Sequence, residues 1–221
     1  MTDGPFVDRD VPFERLELGD GAWVDVARGW LLGADEVFEE LRADVPWATN
    51  QLFRYDHVVE ERRLGSWWTR GTPLPHPALA EATRVLQHRY RVEFGGFGMI
   101  QYRDGSDGQA FHRDTDMKYL DDTIIAILTF GAQRPWLLRP RSAKHTQVPG
   151  KGATHDLAPG AGDLIVMGGR CQVDWEHSVP YLGAASTVGP RISIQWRFAR
   201  RTGRPFQGGG YGAPLHYGRD R

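Results

Sequence analysis

Beyond residue 97 the chain is written in short apolar runs, and in the last of them the alternation is strict. Ile192, Ile194, Trp196 and Phe198 hold the even positions, and Arg191, Ser193, Gln195 and Arg197 the odd ones. Side chains on a strand alternate between faces, so this run predicts a strand with one apolar and one polar face. Runs at 98–102, 123–130, 136–139 and 163–167 predict further strands. Two earlier stretches have helical spacing. Residues 34–43 place Val37, Phe38 and Leu41 on one side and Asp35, Glu36, Glu39 and Glu40 on the other. Pro77, a good first-turn residue, opens a second helix reaching about residue 93, with Leu79, Ala82, Leu86 and Tyr90 along one stripe. Helices first and strands afterwards read as α+β, with the helices buttressing a sheet sandwich or barrel.

Composition fits this picture. With 221 residues the chain suits one domain, and 27 Gly with 14 Pro suit many turns between strands. Residues 140–162 read as a long loop, and the end of the chain, with Gly208, Gly209 and Gly210, as a tail. Lys and Arg number 27 against 28 Asp and Glu, for a net charge of −1, which excludes bulk polycationic binding to nucleic acid or membrane. Eight Trp, seven Tyr and ten Phe argue against global disorder. Cys171 is the one cysteine, which excludes an intrachain disulfide and a thiolate cluster. No leader and no apolar run of membrane-spanning length is evident, so the expectation is a cytoplasmic monomer with no membrane partner.

The segment richest in chemistry is Phe111-His112-Arg113-Asp114-Thr115-Asp116. In an extended chain His112 and Asp114 point to the same side, about 7 Å apart along the backbone. An imidazole and a carboxylate so placed can share one metal ion, and a third ligand would complete a facial triad with open positions. His177, just beyond an apolar run ending at Gly168-Gly169, is the best candidate for that ligand. The pair alone reads equally as a buried hydrogen bond or a polar loop. The final strand adds two guanidinium groups on one face, Arg191 and Arg197. A dicarboxylate such as 2-oxoglutarate would partner them, and a solvated face paired with Asp or Glu would do so too.

Taken in order, the motifs form a longer pattern. It runs through His112-Arg113-Asp114, Leu128-Thr129-Phe130-Gly131-Ala132 with Arg134, and Leu137-Leu138-Arg139-Pro140. It continues with residues 162–169, His177-Ser178-Val179-Pro180, Gly189-Pro190-Arg191-Ile192-Ser193 and Arg197. This pattern resembles the AlkB family of Fe(II)- and 2-oxoglutarate-dependent dioxygenases over roughly residues 60–198. The resemblance implies His112, Asp114 and His177 as catalytic iron ligands, Arg191 with Tyr102 on the distal carboxylate of 2-oxoglutarate, and Arg197 near the metal-chelating end. It implies a double-stranded β-helix, or jelly-roll, core. The chemistry it implies is oxidative demethylation of N-alkylated bases with Fe(II), O2 and 2-oxoglutarate, giving succinate, CO2 and an aldehyde. Three positions depart from the family pattern: Ile100 where Asn is usual, Ser193 for the Asn of Arg-x-Asn, and Phe111 before the iron motif.

On this resemblance residues 1–60 form an N-terminal extension with the first helix, 61–96 a substrate lid and supporting helix, 97–200 the core, and 201–221 the tail. The lid brings Trp67, Trp68 and Arg70 to a flipped-out base, for stacking and phosphate contact. Asp116 matches an acidic position that favours a cationic base. Arg134 and the basic residues up to Lys151 are expected to border a groove for alkylated DNA or RNA. The same oxygenase chemistry on a protein or small molecule is the alternative reading, and an inactive nucleic-acid-binding module a third.

Overall fold

The computed structural model describes residues 4–54, 57–141 and 154–207. The elements are β1 (Phe6–Val7), β2 (Glu14–Gly19), β3 (Ala22–Ala27), β4 (Leu31–Leu32), α1 (Ala34–Asp44), β5 (Ala48–Arg54), β6 (His57–Thr69) and α2 (Ala78–Tyr90). They continue with β7 (Gly96–Tyr102), β8 (Gln109–His112), β9 (Thr123–Gly131), β10 (Leu137–Pro140), β11 (His155–Asp156), β12 (Leu164–Gly169), α3 (Cys171–Asp174), β13 (Trp175–Val179) and β14 (Arg191–Ala199).

An eight-stranded sheet runs β2-β3-β12-β9-β14-β7-β6-β5, and a four-stranded sheet runs β11-β10-β13-β8. Among the described residues every strand pairing within them is antiparallel. Alternation along the central strands builds two cores. Ile124, Ala126, Leu128 and Phe130 of β9, with Ile192, Ile194 and Trp196 of β14, pack toward Val37, Phe38 and Leu41 of α1 and Leu79, Ala82 and Leu86 of α2. The intervening residues Ile125 and Ile127 join Ile100, Tyr102, Ile165 and Met167 against Trp136 and against Leu138 and Val179 of the smaller sheet. This is a jelly-roll core with helices on the outside of its larger sheet, as expected.

The order of elements is not helices first. β2 and β3 precede α1 and sit in the large sheet, and β5 and β6 form a long hairpin before α2. Residues 1–60 therefore supply strands of the main sheet as well as the first helix, and the span given to a lid contains β6. Asp25, buried mid-strand in β3, disguises that strand. It is satisfied by Arg15, through bonds of 2.7 and 2.9 Å, and by the Tyr90 hydroxyl at 2.9 Å. The second helix ends at Tyr90 because Arg91 turns left-handed, at φ 52°, and the Gln87 side chain then accepts from Phe94 N. The center of the long loop, residues 142–153 with Lys144 and Lys151, and the tail from 208 lie outside the described residues.

Candidate active site

The site forms between the two sheets. β8 and β13 pair with His112 directly opposite His177, and then slip by one residue, so that Val179 faces Gln109. At the slip the Ala110 carbonyl is 2.9 Å from His112 Nδ1. Nδ1 is the donor in that bond, and Nε2 is the nitrogen turned toward Asp114, the arrangement that metal-ligating histidines use. Asp114 follows two residues on. Its backbone N–H donates to the Gln172 side chain at 2.8 Å, and its Oδ2 accepts from Arg197 Nε at 2.9 Å.

Ligand atoms of His112, Asp114 and His177 lie within 4.8 Å of one another. His112 Nε2 is 3.5 Å and His177 Nε2 4.0 Å from Asp114 Oδ1. Two bonds of about 2.1 Å span roughly 4.2 Å end to end, so small side-chain adjustments bring all three donors onto one ion. Burial works to raise the Asp114 pKa, but the charge of Arg197 and the His112 hydrogen bond outweigh it and hold the carboxyl well below its ordinary range. Burial, helped by the neighbouring His112, pushes His177 down to about 3, so its ring is neutral. A carboxylate and neutral imidazoles are the protonation states a divalent ion requires. Trp136 stacks on His177, at 5.3 Å between centroids and 18° between planes.

Arg191 is fully buried, and among the described residues none of its three guanidinium nitrogens has a hydrogen-bond partner; the Ser193 hydroxyl is buried and unpartnered among them as well. Burial pulls the Arg191 pKa down to about 10. Its Cζ lies 6.0 Å from the centroid of the Tyr102 ring. An unpartnered buried cation is costly, so this arrangement fits an anionic ligand supplied from outside the chain.

A cavity of about 290 Å³ joins these groups, lined by His112, Asp114, His177, Tyr102, Ser193 and Arg197, with Ile100 at the position of the usual Asn. Arg191 lies behind this lining, one step past Ser193 on the same strand face. Trp67 and Asp116 also line the cavity and are exposed. Glu61 and Arg63 line it too and form a 2.9 Å ion pair, which the sequence reading missed. It also missed Gln172 and Trp136. Their signal was weak: Trp136 reads as an ordinary core aromatic, and Gln172 lies 58 residues from Asp114.

Three expected substrate contacts are corrected. Trp68 points to the other side of β6, stacks on Phe97 and donates to the Pro73 carbonyl, because neighbours on a strand face opposite ways. Arg70 pairs with Glu93 on the surface beside a separate cleft near α2. Arg134 is 1% exposed and donates to the carbonyls of Asp104, Asp107 and Pro180, so it borders no groove. Arg139 pairs with Glu176 and is likewise absent from the cavity wall.

Human alpha-ketoglutarate-dependent dioxygenase alkB homolog 3 is 30% identical over 180 residues, covering 74% of this chain and 61% of that protein. The chain is thus similar in sequence to AlkB-family proteins. The bovine alkB homolog 3 is 29% identical over the same share of each chain. Human DNA oxidative demethylase ALKBH2 is 26% identical over 179 residues, covering 74% of this chain and 68% of that one. The chain spans 61% of the length of these alkB homolog 3 relatives. No family model matches it. Its fold is shared with a Pseudomonas putida prolyl-4-hydroxylase, at TM-score 0.54 and 14% identity over 81% of this chain and 93% of that one. A Trichoplax adhaerens prolyl hydroxylase gives TM-score 0.55 and 12% identity over 78% and 82%.

Proposed function

We propose that this chain is an Fe(II)- and 2-oxoglutarate-dependent dioxygenase that demethylates N-alkylated bases in DNA or RNA. The observation that carries the reading is the convergence of His112, Asp114 and His177 in one cavity with the unpartnered Ser193 hydroxyl, next to the buried, unpartnered Arg191 two residues earlier on the same strand. His112, Asp114 and His177 would hold the iron, and the three remaining positions would be free for O2 and a chelating acid. Arg191 would take the distal carboxylate of 2-oxoglutarate, with Tyr102 and Ser193 beside it, and Arg197 orients Asp114 through its 2.9 Å bond. Iron and 2-oxoglutarate together supply the oxidation of an N-alkyl carbon by O2, with release of succinate and CO2.

The chain's own residues supply substrate positioning. Trp67 exposes 61% of its surface at the cavity and offers a face for an extruded base. Asp116 stands at the same opening, where a carboxylate favours a cationic ring. The curated relatives carry names of dioxygenases and DNA demethylases, whereas the similar solved structures include prolyl hydroxylases, so the substrate is what needs testing.

The test is mass spectrometry of methylated single-stranded oligonucleotides after incubation with the protein, Fe(II), ascorbate and 2-oxoglutarate. Loss of the mass of one CH2 unit per methyl group removed, matched by succinate formation, is the expected result. Succinate formation with every oligonucleotide unchanged would move the reading to a protein or small-molecule substrate.

A further inference from the structure

Arg134 is among the largest fully buried side chains, and no carboxylate of the described residues is hydrogen-bonded to it. The nearby Asp107 carboxylate is engaged by the backbone N–H and guanidinium of Arg103. Arg134 instead spans backbone carbonyls: Nη1 to Asp104 at 2.9 Å, Nη2 to Asp107 at 2.6 Å and to Pro180 at 3.4 Å. Its Cζ lies 5.3 Å from the Tyr102 ring.

Those carbonyls belong to two segments that also meet at the Gly105 carbonyl, which accepts from Leu182 N at 2.9 Å and Gly183 N at 3.0 Å, both beyond the ligand-bearing strands. Asp104 and Asp107 lie in the turn joining Tyr102 to β8, which ends at His112. Pro180 follows β13, which carries His177. The ladder between β8 and β13 is short and slips by one residue between His177 and Val179. A short, irregular ladder specifies its own register poorly, and a slip would move a side chain to the opposite face. The Ser178 hydroxyl, donating to the Gln109 carbonyl at 2.7 Å, is a second tie across this ladder.

We propose that Arg134 is a positioning residue for the metal site: by bridging the turn before β8 to the end of β13, it sets the register that holds His112 opposite His177. The proposal rests on the metal-site reading given above. A planar guanidinium fork reaches several carbonyls at fixed directions, whereas a lysine ammonium is a point charge on a flexible stem. Arg134→Met removes this donor from the buried Asp107 carbonyl and from the part-buried Asp104 and Pro180 carbonyls, and Arg134→Lys restores the charge without the fork.

The experiment titrates the purified full chain with Co(II), as a visible stand-in for Fe(II), and follows its d–d absorption with thermal melting alongside. Leu86→Ala, in the packing of α2, serves as a comparably destabilised control away from the site. Arg134→Met should weaken Co(II) binding by about tenfold to a hundredfold and alter the band shape, as lost outer-shell support does elsewhere. Arg134→Lys should lie between it and the wild type, and Leu86→Ala should keep wild-type affinity and spectrum. Wild-type Co(II) affinity and spectrum in Arg134→Met would overturn the proposal. If Arg134→Met does not fold, Arg134→Lys carries the test, and unchanged binding there overturns it equally. Absence of a Co(II) spectrum in the wild type itself would instead bring down the metal-site reading, and this proposal with it.

Discussion

The indole of Trp67 lies against Gly98, its partner across the β6–β7 ladder, so closely that a Cβ on Gly98 would stand 2.6 Å from the ring. The glycine creates the space in which a large aromatic can lie over the sheet beside Arg197, whose Cζ is 5.8 Å from the ring centroid. The other side of the indole remains open to solvent at the cavity.

Gly98→Ala tests this seat. The clash falls on the end of an exposed side chain, which can swing away, so the substitution should cost little stability. It should displace the stacking face and raise KM for a methylated oligonucleotide by about tenfold, the equivalent of a base–aromatic contact of 1–3 kcal/mol. Decarboxylation of 2-oxoglutarate without oligonucleotide should stay at the wild-type rate. Equal KM values in steady-state assays would show that Trp67 is no platform.

The contrast between Trp67 and Trp68 marks what the sequence makes legible and what it hides. A strand through these residues sends one indole to each face, and only pairing with β7 decides which reaches the site. The final strand was readable because its two faces differ in kind, with Ile192, Ile194 and Trp196 against Arg191 and Arg197. The strand 22–27 was not, since Asp25 interrupts its pattern and its partners, Arg15 and Tyr90, lie 10 and 65 residues away. Arg134 misled for a related reason: its partners are backbone carbonyls, which leave no trace in a charge count. The His112, Asp114 and His177 set was found because its two-residue spacing and motif order survive without any knowledge of packing.

Arg191 should behave as a residue kept for its ligand at a cost to the empty fold. Its guanidinium is buried with three unpartnered nitrogens, so Arg191→Met should melt at or above the wild-type temperature when no 2-oxoglutarate is present. Adding 2-oxoglutarate with Mn(II) at a hundred times the dissociation constant should raise the wild-type Tm by roughly 5–10 °C. The variant should show no such rise. A 2-oxoglutarate-dependent shift retained in Arg191→Met, seen by differential scanning fluorimetry, would remove Arg191 from the co-substrate site.

Asp116 stands exposed at the cavity mouth, two residues from Asp114 but outside the cluster of converging ligand atoms. If it selects a cationic ring, Asp116→Ala should lower demethylation of a cationic methylated base about tenfold or more, the worth of a charge-assisted bond of 1.5–3 kcal/mol. Uncoupled 2-oxoglutarate decarboxylation should hold. Parallel loss of both activities in a succinate and formaldehyde assay would assign Asp116 to support of the metal site instead.

Cys171 offers a check on the fold that is independent of chemistry at the site. It opens α3 directly after β12, with its thiol donating to the Trp23 carbonyl at 3.2 Å and only 1% of its surface exposed. Burial pushes its pKa up to about 12. A thiol is nucleophilic only as the thiolate, so at pH 8 the native chain should resist iodoacetamide over hours. Urea at concentrations beyond the unfolding midpoint should release full alkylation, at the rate of an ordinary cysteine. Because Cys171 adjoins Gln172, which holds the Asp114 backbone, its protection also reports on the segment supporting the metal ligands. Rapid alkylation of the folded chain, read by intact mass, would mean that the end of β12 and α3 open readily, and that Gln172 gives Asp114 no fixed support.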